Sequence, residues 1–281
     1  AMSTGVDKGV MTPDSTYTNT DSITIDDATI QNASKGQTGT ITMQHALNWS
    51  LNTGSVTKAT WHGGGSINRT ARDILYTYYH DKFHLGEKTG IELANEQAGT
   101  VIPPTDVQGN AVRYANMTFG QGLDVTTLQV ATAFSAIVNG GVYYQPTVIA
   151  GTMSDDGTTF TSAKQKDGQR IIKQSTSDTM KQMIYNARHA FPSYYSSDRS
   201  GYDVGGKTGT AQTIENGKYV FDQTIATHVG FGGEKGKTPA YVIMIEVYGP
   251  HKNLDGGHHA LPIFTDISNW MIDYLKLTPQ G

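Results

Sequence analysis

Lys207-Thr208-Gly209-Thr210 is the stretch whose residue types most directly suit chemistry. An ammonium supplies a fixed positive charge, and a neighbouring hydroxyl supplies a hydrogen bond for a ligand carboxylate. Glycine lets a ligand backbone approach closely, and the amide that follows can point at a developing oxyanion. Val204-Gly205-Gly206 precede it, and the segment reads as an edge strand, where a lysine can equally serve to keep an exposed edge soluble. A second Lys-Thr-Gly stands at Lys88-Thr89-Gly90, so the triplet alone does not decide. Ser50-Leu51-Asn52 supplies the other candidate groups, a hydroxyl and an amide in a loop before Gly54. Small polar residues of this kind also build ordinary turns.

The elements around these residues are legible in outline. Ser22-Ile23-Thr24-Ile25 alternates like one arm of a hairpin. Thr42 is placed to cap a helix carrying Met43, Ala46 and Leu47. A second helix is expected from Ala71, Ile74, Leu75 and Tyr78, with Thr70 and Asp73 as a capping box. A third runs from Thr127 to Val138 with Leu128, Ala131, Phe134 and Ile137 on one face, stopped by Gly140-Gly141. Residues 151–170 are polar and read as a surface excursion. Thr227 to Phe231 and Ala240 to Tyr248 read as strands joined by the turn-forming Gly232 to Pro239. Leu261 to Leu277 closes the chain as an amphipathic helix, with Phe264, Ile267, Met271 and Tyr274 in register. Helices first, then strands and a final helix, imply an α+β architecture without an internal linker.

With 281 residues the chain can bury a substantial core. A formal charge of -4 argues against a nucleic-acid surface, and the absence of Cys excludes disulfides, thiolate catalysis and Cys-based zinc sites. No apolar run reaches the length of a membrane span. Ala1-Met2 reads as a leftover of cloning, so the chain is expected to be a piece of something longer. His80 and His84 have ligand-like spacing, but Asp81 stands where a zinc protease carries Glu, so a solvated helix face is the simpler reading. His258-His259 beside Asp255 is judged in the same way.

Ser-x-Asn with Lys-Thr-Gly far downstream is two thirds of the motif set of the serine acyl-transferases that act on penicillins. SLNTG at 50–54, GEKTGIEL at 86–93, FGQGLDVTTLQVATAF at 119–134, GKTGTAQ at 206–212, HVGFG at 228–232 and GHHALPIF at 257–264 follow one order. In these stretches the chain resembles the transpeptidase domain of class B penicillin-binding proteins. The resemblance implies a penicillin-binding-protein/β-lactamase-like fold, an antiparallel sheet with flanking helices, over residues 1–281. It assigns Lys207 to the catalytic strand and Lys88-Thr89-Gly90 to a structural turn. Ser50, Asn52 and Lys207 are then catalytic: Ser50 and Asn52 relay protons and hold the substrate amide, and Lys207 polarises Ser50. Thr208, Gly209 and Thr210 bind the substrate's terminal carboxylate, with the Thr210 amide in the oxyanion hole. No metal or cofactor is implied. The implied ligands are peptidoglycan stem peptides and β-lactams, with membrane partners in cell-wall synthesis and a location on the extracytoplasmic face of the bacterial membrane.

One departure matters. The family's nucleophile belongs to a Ser-x-x-Lys at the start of a buried helix upstream of Ser-x-Asn, and VDKGVMTPDS at 6–15 resembles the segment just after that helix. The chain is therefore expected to lack the nucleophile, to be silent toward penicillin and to expose apolar surface where the helix belongs. The single Ser-x-x-Lys present, Ser55-Val56-Thr57-Lys58, lies on the wrong side of Ser50. Two other functions remain open at this point: a non-catalytic binding module of the same fold, and a zinc hydrolase on His80 and His84.

Overall fold

The computed structural model describes residues 1–164, 166–215 and 218–280. Its helical half opens with α1 (Met2–Asp7) and two small antiparallel pairs, in which β1 (Thr16–Asn19) pairs with β4 (Gly39–Thr42) and β2 (Ser22–Ile25) with β3 (Ala28–Gln31). Then come α2 (Met43–Asn48), α3 (Asn52–Trp61) and α4 (Arg69–Tyr76), the last continuing into a π-helical turn at Thr77–Lys82. Next are α5 (Ala111–Met117) and α6 (Thr127–Val138), followed by the short strands β5 (Val142–Tyr143), β6 (Gly151–Met153), β7 (Phe160–Ser162) and β8 (Gln169–Arg170). After α7 (Gln174–His189) and α8 (Pro192–Tyr195) the chain turns to sheet: β9 (Tyr202–Glu215), β10 (Lys218–Glu234) and β11 (Tyr241–Val247). A π-helical turn at Gly256–Ala260 leads into α9 (Leu261–Tyr274).

Among the described residues the main sheet is antiparallel in the order β11-β10-β9, so β9 is an edge. Two apolar clusters form the core. One centres on α3, α4, α5 and α6 with Val56, Leu75, Tyr114 and Ala136; the other joins α2 and α7 to the sheet through Met43, Leu51, Met183 and Phe231.

Several expected starts are realised: Thr42 caps α2 by accepting from the His45 amide, and β2 pairs with β3 over Ser22–Ile25. Two expectations are corrected, and one long helix is new. The cap of α4 is Asn68, whose Oδ1 accepts from the Ala71 amide, rather than Thr70; Asn tolerates the extended cap conformation and reaches the same orphan donor. The final helix buries Leu261, Phe264, Thr265, Ser268 and Ile272, whereas Ile267 and Tyr274 face outward. Polar pairing accompanies the docked face: Thr265 Oγ1 accepts from Arg188 Nη2 at 3.0 Å, and the Ser268 hydroxyl meets that of Tyr241 at 2.8 Å. The sixteen-residue α7 is not foreseen at all.

Asp7 fastens the helical half to α7. Its Oδ1 accepts from the Lys173 amide and the Thr176 hydroxyl, both at 2.8 Å, and its Oδ2 accepts from the Tyr78 hydroxyl. Burial pushes the carboxyl pKa up. These hydrogen bonds and the Lys82 charge outweigh that and hold it below the usual carboxylate value.

Lys58, by contrast, is fully buried, and its Nζ finds no hydrogen-bond partner among the described residues. Its stem packs on Gly5 of α1. Burial lowers its pKa from 10.5 to about 7. The folded state therefore binds this proton less tightly than the unfolded chain, and stability rises as pH goes from about 7 toward 10.5. Lys58→Met keeps the stem and removes the amine; it should stabilise the protein by about 1–4 kcal/mol at pH 7. Urea denaturation across that pH range should also show a shallower rise in stability for the variant than for the parent.

Candidate active site

The site is built on β9. Lys207 pairs in register with Val229, Thr208 with His228, Gly209 with Thr227 and Thr210 with Ala226. Lys207, Gly209 and Ala211 then share one face of the sheet with Ile225, Thr227, Val229, Met244 and Glu246. That face walls a cavity of about 780 Å³, lined also by the glycine-rich loop Phe119–Asp124, by Val130 of α6 and by Ala1. The outer edge of β9 carries no strand among the described residues, so its free amides and carbonyls can receive an extended ligand.

Lys207 is half-buried beside this cavity, and its Nζ donates to the Thr208 carbonyl oxygen at 3.0 Å. Burial lowers its pKa from 10.5 to about 8. Below pH 8 it is a cation in a poorly hydrated recess, where a carboxylate is attracted more strongly than in water. The Thr210 hydroxyl accepts from the Gly256 amide at 3.1 Å, which leaves its own proton to donate.

Behind β9 lies a second layer. The buried His228 ring packs on Phe264, with centroids 4.2 Å apart, and its Nε2 lies 3.4 Å from Arg188 Nη1. Arg188 is itself buried and paired with Asp198 at 2.5 Å. Burial first, then the Arg188 and Lys207 charges, hold the His228 pKa well below the ordinary value, so the ring is neutral. Gly206 makes room for it, since a Cβ there would lie 2.4 Å from His228 Cε1.

The π turn at Gly256 clamps β9 from this back side. A Cβ on Gly256 would stand 2.5 Å from the carbonyl oxygens of both Gly209 and Thr227, contacts that real side chains do not make.

Ser50 and Asn52 are positioned separately. Leu51, 1% exposed, anchors the turn in the core, and Ser50 adopts a left-handed φ of 57°. The following residue, Thr53, is tied into a buried network: its Oγ1 donates to Asn19 Oδ1 at 2.8 Å and its amide to Asn32 Oδ1 at 3.0 Å. Ser50 is exposed, and the Asn52 Nδ2 donates to the Gln31 carbonyl oxygen at 2.8 Å. Neither Ser50 nor Asn52 lines the cavity, whereas Lys207, Thr208, Gly209 and Thr210 all do. The two sets are joined by a rim of aromatic contacts. Trp49, next to Ser50, meets Phe191 edge-on at 4.9 Å, Phe191 meets Tyr194 at 5.3 Å, and Tyr194 reaches Gly257 of the π turn.

The second Lys-Thr-Gly has a different fate. Glu96 accepts from the Thr89 amide, the Thr89 hydroxyl and the Gly90 amide, so that turn already holds its own carboxylate. His80 faces Asp81 and Glu87, and His84 faces Glu87. Among the described residues no group of three His, Asp or Glu side chains is arranged to hold a metal ion, so the zinc reading loses its support.

A sequence model of the penicillin binding protein transpeptidase domain matches residues 1–269. The chain belongs to the transpeptidase-domain family of class B penicillin-binding proteins. Penicillin-binding protein PbpB of Mycobacterium tuberculosis is 34% identical over 215 residues, which cover 72% of this chain and 31% of that protein. Stage V sporulation protein D of Bacillus subtilis is 34% identical over 221 residues, covering 75% of this chain and 32% of its own length. The chain thus spans about a third of the length of these relatives. Among solved structures, penicillin-binding protein 3 of Mycobacterium tuberculosis in complex with aztreonam superposes with a TM-score of 0.82 at 30% identity, covering 100% of this chain and 61% of that one. The expected α+β, penicillin-binding fold is therefore the observed one. No helix among the described residues is long and apolar enough to cross a membrane.

The Gly256 contact gives a paired test. Gly256→Ala should destabilise the protein by about 1–3 kcal/mol, because only backbone can yield to the new methyl. Gly257→Ala, whose nearest neighbour would be the Asp255 carboxylate at 3.3 Å, should cost well under half as much. Urea midpoints for the two variants check the difference.

Proposed function

We propose that these residues form the substrate-holding part of a serine-type D,D-transpeptidase site that cross-links peptidoglycan stem peptides and binds β-lactams on the outer face of the bacterial membrane. The observation that supports it most is a cavity walled by an extended edge strand with a cation and two hydroxyls in a row. In this reading Lys207, Thr208 and Thr210 hold the terminal carboxylate of a D-Ala-D-Ala peptide. Gly209 keeps the strand surface low enough for the peptide backbone to lie along it. The Thr210 amide donates to the oxygen of the attacked carbonyl as negative charge develops there. Asn52 uses Nδ2 on Gln31 and keeps Oδ1 for the substrate amide, while Ser50, polarised by Lys207, passes protons.

The chemistry is acyl transfer. A serine hydroxyl attacks the penultimate D-alanyl carbonyl, a lysine takes its proton, and the terminal D-alanine leaves with a proton on its amine. An acceptor amine then displaces the serine. The Ser-x-x-Lys in this chain does not supply that pair: Lys58 is buried against α1 and the motif lies after Ser50, outside the family's order. These residues alone therefore bind without forming an acyl-enzyme. The whole-length activity, its membrane partners and its location rest on the resemblance.

Two measurements test this together. Intact mass after incubation with benzylpenicillin should show no adduct; a stoichiometric adduct would contradict the account of the nucleophile. Binding of an N-acylated D-Ala-D-Ala peptide, followed by amide NMR shifts at Thr208 and Thr210, should weaken by up to about tenfold per pH unit above pH 8 as Lys207 loses its charge. Lys207→Gln should bind weakly at every pH. Binding that ignores both the pH and the substitution would remove Lys207 from the carboxylate site.

A further inference from the structure

The rim between Ser50 and Thr210 is more than a spacer. Trp49, Phe191 and Tyr194 are all half-buried, so each leaves ring surface to solvent in a continuous series. At the far end, a point one Cβ above Gly257 lies 3.3 Å from Asp255 Oδ1 and 3.8 Å from Tyr194 Oη. An aromatic ring and a carboxylate therefore flank the same spot on the rim. The Asp255 carboxyl is buried in part, which raises its pKa, but hydrogen bonds from the His258 amide and ring outweigh this and keep it ionised. α8, which carries Tyr194, buries none of its residues, so its rings are not there to fill the core. Its neighbour His189 stacks between Tyr185 and Tyr195 at 3.9 and 4.7 Å, while Phe191 meets Trp49 and Tyr194 lies against Gly257.

Electron-rich ring faces beside an anionic carboxylate recognise cations, and alkylammonium groups above all. We propose that this rim, Trp49–Phe191–Tyr194 with Asp255, is the docking ledge for the acceptor substrate, a primary alkylammonium side chain approaching the acyl-transfer site. The inference rests on the function proposed above, which needs an amine to arrive beside a site already occupied by the donor. The ledge meets that need geometrically. It starts next to Ser50 and ends at the turn that clamps Thr210, so it borders the donor strand without overlapping Lys207, Thr208 or Gly209. The ledge binds the protonated amine on approach; loss of the proton belongs to the site itself.

The test uses the chain as it stands and two probes that share a four-carbon side chain and differ in its terminal ammonium: Nα-acetyl-lysine methylamide and Nα-acetyl-norleucine methylamide. The readout is the indole N–H resonance of Trp49, assigned with Trp49→Phe. The lysine probe should shift this resonance in a saturable way, and the norleucine probe should bind at least threefold more weakly. Tyr194→Leu and Asp255→Asn should each weaken the lysine probe roughly three- to tenfold. The Tyr194→Leu midpoint in urea should stay near the parent value, because that ring is not in the core, and Asp255→Asn, which keeps Oδ1 for the His258 amide that caps the π turn, should lower it only slightly. Equal binding of both probes, or undiminished binding by both variants, overturns the ledge. The D-Ala-D-Ala peptide in the same sample separates the two ideas. If the peptide shifts Thr208 and Thr210 while the lysine probe shifts nothing, the ledge fails alone; if neither ligand binds, the reading of the donor site fails and takes the ledge with it.

Discussion

The site depends on an edge strand that must be gripped from its faces so that its edge stays open. Among the described residues strand β9 gains ladder hydrogen bonds from β10 on one side only, and a strand held that way would ordinarily twist, fray or recruit a neighbour. Here backbone contact replaces the missing partner. Gly206 admits the buried His228 ring, Gly209 leaves room for the Thr227 hydroxyl, and Gly256 rests directly on the Gly209 and Thr227 carbonyls. Lys207 and the two threonines are thus fixed while the outer edge remains available.

Charge is distributed to match. On the cavity side Lys207 sits in a recess that lowers its pKa to about 8. On the back, Arg188 is neutralised by Asp198 and shares space with a His228 held neutral, so no second uncompensated cation presses on Lys207 through the strand. Lys58 is the exception, a buried amine without a partner among the described residues, and it marks the seam between α1 and α3 as the place where the charge balance is not closed by the residues described.

Much of this is legible in the sequence. The Lys207 strand is recognisable as an edge because a lysine, small residues and threonines alternate there, and the helix opened by Thr42 carries a local cap that needs no tertiary help; the Thr126 capping box of α6 is equally local but is not foreseen. The duplicate Lys-Thr-Gly could not be resolved by its own residues; only Glu96, folded onto it, shows that its anion site is filled. Helix α7 was missed although Met180, Met183, Ile184 and Ala187 have helical spacing, because the Ser, Gln and Asn between them dilute the pattern. The outward turn of Ile267 and Tyr274 was invisible because which stripe of a helix docks is decided by the sheet beneath it. Ser50 lies in the expected loop, but Asn52 opens α3 and Gly54 sits inside that helix instead of breaking the chain; the aromatic rim that joins this turn to β9 is made by residues about 140 positions apart, a contact that no local pattern encodes.

The central claim is that the Ser50 turn and the Lys207 strand hold one ligand between them. A crystal structure with an N-acylated D-Ala-D-Ala peptide tests it most directly. The peptide should lie antiparallel along the open edge of β9, with its carboxylate on Lys207, Thr208 and Thr210 and its penultimate amide at Asn52. A peptide seated elsewhere, or one that touches the strand while its amide faces away from Asn52, would contradict it.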